Sequence, residues 1–360
     1  MRFDRRKILK VSAAAIAGSQ FIACGGTRKI PTEGVPRSSY DEDSTAEEVT
    51  ASVDLAGKLA VVTGCTSGIG FETMRVLAKR GAYVVGTSRS LERASAACKR
   101  VAGTTTPLQL ELSDFESVVA CANEIRSINS PVDILVCNAG YLGASGEPEL
   151  INGLEKHFVI NHLGHFVFVN RLLGRMYMAF QGRVVVVASR AAYTSAPEAG
   201  IEFNNLDASR DYDDRRAYGQ SKLANVLFAL ELGKLLRGTR ITINALHPGV
   251  INTNIDRNMN RFMQRAFAVV AALGYGKSIE AGAATSCYVA TNPQLGSTSG
   301  KYFEDCNAVT IVGEGHLHDE AMATRLWQRS EEITRDYLVS HYGADYNDFE
   351  KAIHERERND

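Results

Sequence analysis

From Leu55 onward, short apolar runs rich in β-branched residues alternate with segments whose apolar positions recur at helical spacing. That alternation is the pattern of a doubly wound α/β fold, a parallel sheet with helices on both faces. Strands are predicted at about 59–63, 83–87, 108–112, 133–137, 183–188, 241–246 and 300–303, seven in all and mostly parallel, with one helix in most intervals. Ala60-Val61-Val62, Ile134-Leu135-Val136 and Val184 to Val187 are continuous rather than alternating, so both faces of those strands are expected to be covered. Such a sheet binds its ligand at the carboxyl ends of the strands, where the strand order reverses. One folded domain is expected over residues 55–343, followed by a C-terminal tail at 344–360.

The first residues follow another pattern. Asp4-Arg5-Arg6-Lys7-Ile8-Leu9-Lys10 precedes a mildly apolar, Ala-rich run from Val11 to Ala23, too short and weak to span a membrane. The charged string resembles a twin-arginine signal, which predicts export of residues 25–360 to the periplasm after folding and cofactor loading. Phe21-Ile22-Ala23-Cys24-Gly25 resembles a lipoprotein cleavage box, with Phe21 where that pattern prefers Leu, so Cys24 is a candidate lipid anchor. The bland alternative is a basic amphipathic tail on a cytoplasmic protein. Residues 25–54, with their Gly, Pro, Ser and clustered Asp41-Glu42-Asp43, read as a disordered linker.

Composition narrows the function. With 45% hydrophobic and 22% charged residues the chain is an ordinary globular protein, and a net charge of -1 offers no basic surface for nucleic acid. Seven cysteines without Cys-x-x-Cys spacing or a companion His pair argue against a zinc site, and read as buried small hydrophobes.

The first strand runs into Thr63-Gly64-Cys65-Thr66-Ser67-Gly68-Ile69-Gly70, and a helix follows. Between a buried strand and a periodic helix, such a loop lets the backbone approach a pyrophosphate while first-turn amides point at it. After the second strand, Gly86-Thr87-Ser88-Arg89 places a guanidinium where an NAD-selective protein would put an acid. Arg89 can pair with a 2′-phosphate, which favours NADP(H); its other reading is a solvated surface charge. Farther on, Tyr218-Gly219-Gln220-Ser221-Lys222 opens an apolar helix, and four-residue spacing puts Tyr218 and Lys222 on one face. A nearby ammonium stabilises a phenolate, so Lys222 is expected to draw the Tyr218 pKa down toward the working pH.

These motifs, together with Cys137-Asn138-Ala139-Gly140, Asn161-His162-Leu163-Gly164-His165-Phe166, Val187-Ala188-Ser189 and His247-Pro248-Gly249, resemble the short-chain dehydrogenase/reductases in order and spacing over about residues 55–340. The resemblance implies a Rossmann-type domain. It also implies that Tyr218 passes the substrate proton, Lys222 tunes it and holds the nicotinamide ribose, and Ser189 hydrogen-bonds the substrate oxygen. Asn161 would hold a relay water, and Asn138 would brace the sheet beside the cofactor. The implied cofactor contacts are Gly64, Thr66, Ser67, Gly68, Ile69, Gly70, Arg89, Glu111, Leu112, Asn138, Ala139, Gly140, Tyr218, Lys222, Pro248, Gly249, Val250 and Thr253. Departures from the family pattern are Cys137 for a first Asn, Glu111 for an Asp and Ala188 for a first Ser; none removes a reacting group. His162, His165 and His247 read as packing or loop histidines, with no metal site.

Ile201 to Leu206, Ala217 to Phe228, Gly300-Lys301-Tyr302-Phe303 and Arg325-Leu326-Trp327 resemble the retinol-dehydrogenase-like branch, which implies a lipophilic carbonyl or alcohol substrate. The apolar stretch Met259, Phe262, Met263, Phe267, Val269, Val270 and Leu273 fits a lid over such a ligand. It fits equally a helix packed on the core or on a membrane interface. Two further functions stay open: a nucleotide-binding regulator or scaffold without turnover, and an enzyme resembling the protochlorophyllide reductases.

Overall fold

The computed structural model describes residues 28–143, 145–251, 276–313 and 315–339. The signal segment with Cys24, Thr253, the apolar stretch 259–273 and the tail from 344 lie outside the described residues. The strands are β1 (Arg28–Pro31), β2 (Leu59–Thr63), β3 (Tyr83–Ser88), β4 (Thr105–Gln109), β5 (Ile134–Cys137), a short hairpin of β6 (Leu150–Ile151) and β7 (Leu154–Glu155), then β8 (Gly182–Val187), β9 (Ile241–His247), β10 (Tyr302–Glu304) and β11 (Asn307–Val312). The helices are α1 (Ala46–Val49), α2 (Gly68–Lys79), α3 (Leu91–Cys98), α4 (Phe115–Ser127), α5 (Lys156–Phe158), α6 (Gly164–Tyr177), α7 (Ala191–Thr194), α8 (Asp214–Leu235), α9 (Ile279–Thr291) and α10 (Glu320–Val339).

The main sheet has the order β1-β11-β10-β9-β8-β5-β2-β3-β4. From β4 to β10 all pairings are parallel, and the chain reverses direction across the sheet between β2 and β5. That is the Rossmann arrangement, with its crevice at the carboxyl ends of β2 and β5. Strand periodicity divides the core into two layers. Val61 joins the cluster under α4, α6, α8 and α10, while Ala60 and Val62 join the one under α2, α3 and α9. The continuous runs read from the sequence are thus buried on both faces.

Three expectations change. The strand placed at 108–112 is β4 at Thr105–Gln109; being the sheet edge, it accommodates Pro107, and the chain leaves it early for the Asp114 cap of α4. The sheet has nine strands rather than seven, because β11 and β1 add to the β10 edge in antiparallel sense. Asp305 and Cys306 make the β10–β11 turn, both at positive φ (50° and 58°) with no glycine to announce it.

The segment read as a linker is the third. Residues 28–54 are folded: β1 pairs with β11 from Arg28↔Val312 to Pro31↔Val309. The Thr45 and Glu48 side chains form a capping box on α1, whose Ala46 and Val49 are buried against α2 and α9. Polar composition misled here because an edge strand and a capped turn are held by hydrogen bonds and need few apolar anchors.

Candidate active site

The cleft at the carboxyl ends of β2, β3, β5, β8 and β9 gathers most residues named from the sequence. Gly64, Thr66, Ser67, Gly68, Ile69, Gly70, Arg89, Glu111, Leu112, Asn138, Ala139, Gly140, Ser189, Tyr218, Lys222, Pro248 and Gly249 all line it. Val250 does not; it is exposed, and Ile251 lines the cleft instead.

At one end, the β2–α2 loop turns under Asn138. A Cβ on Gly70 would stand 2.3 Å from both Asn138 Nδ2 and the Gly64 carbonyl, so only glycine fits. Ser67 caps α2 without a side-chain bond, which leaves first-turn amides facing the cleft. Thr63 fixes the loop's base. Its hydroxyl accepts from the backbone N–H groups of Asn138 and Ala139, both at 2.9 Å, and lies 3.0 Å from His165 Nε2. Asn138 Nδ2 donates to the Thr63 carbonyl at 2.8 Å, so Asn138 joins β2 to β5 as expected. Burial pushes His165 down to about 4, and its Nδ1 meets the Asn161 carbonyl at 3.2 Å. The ring is therefore neutral with the proton on Nδ1, and Thr63 donates to Nε2.

Beyond β3, Thr87, Ser88, Arg89, Ser90 and Arg93 form the far wall. Sequence reasoning missed Arg93, although its place one turn into α3 on the face of Ser90 was a usable signal. Glu111 reaches the cleft, but its carboxylate accepts from the Ser113 backbone at 3.1 Å and hydroxyl at 2.7 Å, a local turn of the chain.

At the other end stand Ser189, Tyr218 and Lys222. Ser189 follows β8, and its Oγ accepts from the Ala191 N–H at 3.2 Å. Tyr218 and Lys222 lie on α8, which can approach α7 because a Cβ on Gly219 would sit only 2.4 Å from the Ser195 carbonyl carbon. Lys222 Nζ donates to the Val187 carbonyl at 3.0 Å and stands 5.7 Å from the Tyr218 ring centroid. Burial pulls Lys222 down to about 8. Burial also pushes the Tyr218 phenol up to about 12, against a hydrogen-bond contribution from Ser189 that draws it down. Burial sets the direction for the phenol, and the Lys222 ammonium is turned to a backbone carbonyl.

Asn161 stands behind the cleft lining. It is fully buried in a π-helical turn (Val159–Leu163) and does not line the cleft. Its Oδ1 accepts from the Tyr141 N–H at 2.7 Å, and its Nδ2 donates to the Tyr141 carbonyl at 3.0 Å and Ser221 Oγ at 2.9 Å. The side chain ties the loop after β5 to α8. A second tie was missed altogether. His157 Nε2 accepts from the Gly143 N–H at 3.1 Å while Nδ1 donates to Glu155 at 2.7 Å, and the ring lies edge-on to Tyr218 at 6.0 Å.

His162 packs in the core: pushed down to about 3 by burial, it sits among Phe158, Phe166 and Phe228 and meets Ser330 Oγ at 2.8 Å. Trp327 stacks on Phe228, which explains the aromatic motif near the chain's end. The six described cysteines are buried and unpaired.

A model of the short chain dehydrogenase family matches residues 58–201. The chain is 38% identical over 308 residues to short-chain dehydrogenase TIC 32 A, chloroplastic, of Brassica napus, covering 82% of this chain and 94% of that one. It is 36% identical to retinol dehydrogenase 12 of Mus musculus, covering 79% and 88%. A solved structure of an uncharacterized protein from Mycobacterium Paratuberculosis superposes with a TM-score of 0.62 at 30% identity, covering 81% and 98%. The chain therefore belongs to the short-chain dehydrogenase/reductase family of oxidoreductases, in its retinol-dehydrogenase-like branch.

Proposed function

We propose that this oxidoreductase uses NADP(H) to interconvert a lipophilic carbonyl compound and its alcohol, with Tyr218 passing the proton. The observation that carries this reading is a single cleft with a cationic wall of Arg89 and Arg93 at one end and Ser189, Tyr218 and Lys222 at the other. The residues fit a dinucleotide. First-turn amides of α2 have no side-chain cap and can meet a pyrophosphate, and two residues that line the cleft carry buried polar atoms, Thr87 Oγ1 and His247 Nε2, without a partner among the described residues. Arg89 and Arg93 would hold the 2′-phosphate, and Lys222 with Pro248, Gly249 and Thr253 the nicotinamide riboside.

The cofactor, when bound, supplies or takes the hydride. The chain's part is to handle the oxygen: Ser189 and Tyr218 are two positioned donors for a developing alkoxide. A phenol held near 12 is protonated at neutral pH, so carbonyl reduction finds its proton donor ready. Tyr141, Ile160, Val187 and Ile251 supply cleft wall suited to an apolar substrate, in keeping with the retinol dehydrogenases among the relatives.

Arg89→Asp tests the cofactor. Loss of a charge-assisted pair on an exposed side chain should weaken NADPH binding roughly 10- to 100-fold and NADH binding far less, read by nucleotide fluorescence titration. Equal losses for both would remove the assignment. We further propose that residues 1–24 direct export, with Cys24 the candidate lipid attachment point. Arg5→Lys with Arg6→Lys keeps the charge but should leave the protein in the cytoplasm on fractionation. Cytoplasmic unaltered protein that retains Met1 to Ala23 would overturn it.

A further inference from the structure

Strand β1 lies at the extreme edge of the sheet, outside the stretch that matches the family model. From that edge the Lys29 ammonium pairs with the carboxylate of Glu304, which closes β10 and is only 3% exposed. A buried carboxylate needs a counter-charge and donors. Lys29 is the charge paired with it, and the Arg190 guanidinium is a second cation beside the two phenols. The donors are Tyr193 OH at 2.9 Å and Tyr302 OH at 3.4 Å; burial and the carboxylate itself hold both phenols well above their ordinary value, so each keeps its proton.

Tyr193 belongs to α7, the single turn that begins two residues after Ser189. Its ring meets that of Tyr302 edge-on at 6.4 Å. The rest of the serine segment is fastened by the Arg190 N–H, which donates to His247 Nδ1 at 3.3 Å, and by the close approach of Gly219 to Ser195. His247 faces Glu304 across the β9–β10 register. Tyr193 is thus a side chain that ties α7 to the sheet edge, and the carboxylate that accepts from it also takes the Lys29 ammonium.

We propose that Lys29 is a positioning residue for Ser189, acting through Glu304 and Tyr193, so that the N-terminal strand is part of the catalytic support. This rests on the reading of Ser189 as the donor to the substrate oxygen. Without Lys29, Glu304 loses its ion pair and its fixed place, and the Tyr193 anchor of α7 loosens. A shift of a fraction of an ångström in the serine hydroxyl acts on turnover more than on cofactor affinity, since the cationic wall and the glycine loop are on other strands.

The test uses the full chain with NADPH and decanal as the carbonyl probe. Lys29→Met and Tyr193→Phe should each lower kcat roughly tenfold, with NADPH affinity within about twofold of the parent. Lys29→Arg should restore most of the loss. The double variant should be no slower than either single one, because both cut the same chain of contacts. Ser189→Ala is measured alongside. Parental kcat in Ser189→Ala overturns the serine reading itself, whereas an impaired Ser189→Ala beside a parental Lys29→Met overturns this inference alone. Parallel loss of kcat, NADPH affinity and thermal midpoint, unrelieved by Lys29→Arg, also overturns it. Should Lys29→Met not fold, Tyr193→Phe decides by the same readouts.

Discussion

Tyr218→Phe should bind NADPH like the parent and turn over about 10²–10⁴-fold more slowly, the usual worth of a positioned proton donor. The substitution removes one oxygen and almost no volume. One neighbour, Ser189, meets that oxygen, but its Oγ also accepts from the Ala191 N–H, and the Tyr218 carbonyl, which accepts from Ser221 Oγ at 2.7 Å, is untouched. The fold and the cofactor cradle at the opposite end of the cleft should survive. The pH dependence has a definite sign. Carbonyl reduction needs the phenol protonated and Lys222 charged; the phenol holds its proton to about 12 and Lys222 to about 8. The reductive rate should therefore be level below pH 8 and fall above it. Alcohol oxidation, which needs the phenolate, should rise with pH instead. Steady-state kinetics in both directions on parent and variant measure this; near-parental turnover in Tyr218→Phe would sink the proton-transfer assignment.

Lys222→Met should abolish most turnover and weaken NADPH binding, yet raise the thermal midpoint of the cofactor-free protein. The ammonium is 2% exposed and has a backbone carbonyl for its partner, with burial holding it at about 8 against an ordinary 10.5. The folded state binds that proton less tightly than the unfolded chain does. The resulting penalty is fully present below pH 8, shrinks from there to about 10.5 and vanishes above. It amounts to something on the order of 3 kcal/mol. Methionine fills the same stem volume without the charge, and the Val187 carbonyl keeps Asn225 Nδ2 as a donor at 3.4 Å. Thermal melts of parent and variant at pH 7 and pH 10.5 test it: the gain should be several degrees at the lower pH and close to nothing at the higher. A variant less stable than the parent at pH 7 would show that the lysine is a structural pin.

What the sequence makes legible is what backbone geometry forces. Gly64, Gly68 and Gly70 between a buried strand and a helix, and Tyr218 four residues before Lys222, could be placed without coordinates because strand, turn and helix periods fix their directions. Contacts between distant parts of the chain were not legible. Nothing in the polar string from 28 to 54 signals that Lys29 meets a residue 275 positions away, and the glycine-free turn at Asp305-Cys306 hid β11. Asn161 was assigned to the reacting groups by motif alone. Its amide is bonded to Tyr141 and Ser221, contacts that no local pattern reveals. The direction of a pKa shift is hard to read from sequence for a related reason: a charge can be inferred from spacing, but desolvation depends on everything packed around it.

The most direct test of the central claim is the initial rate of NADPH oxidation by the full-length protein against a graded carbonyl panel from propanal through decanal to retinal, with NADH run in parallel. The account predicts consumption with the long or ring-bearing carbonyls, kcat/KM rising with apolar size, and at least a tenfold preference for NADPH. Nucleotide binding without consumption across the whole panel, or faster turnover with NADH on the short aldehydes, would contradict it.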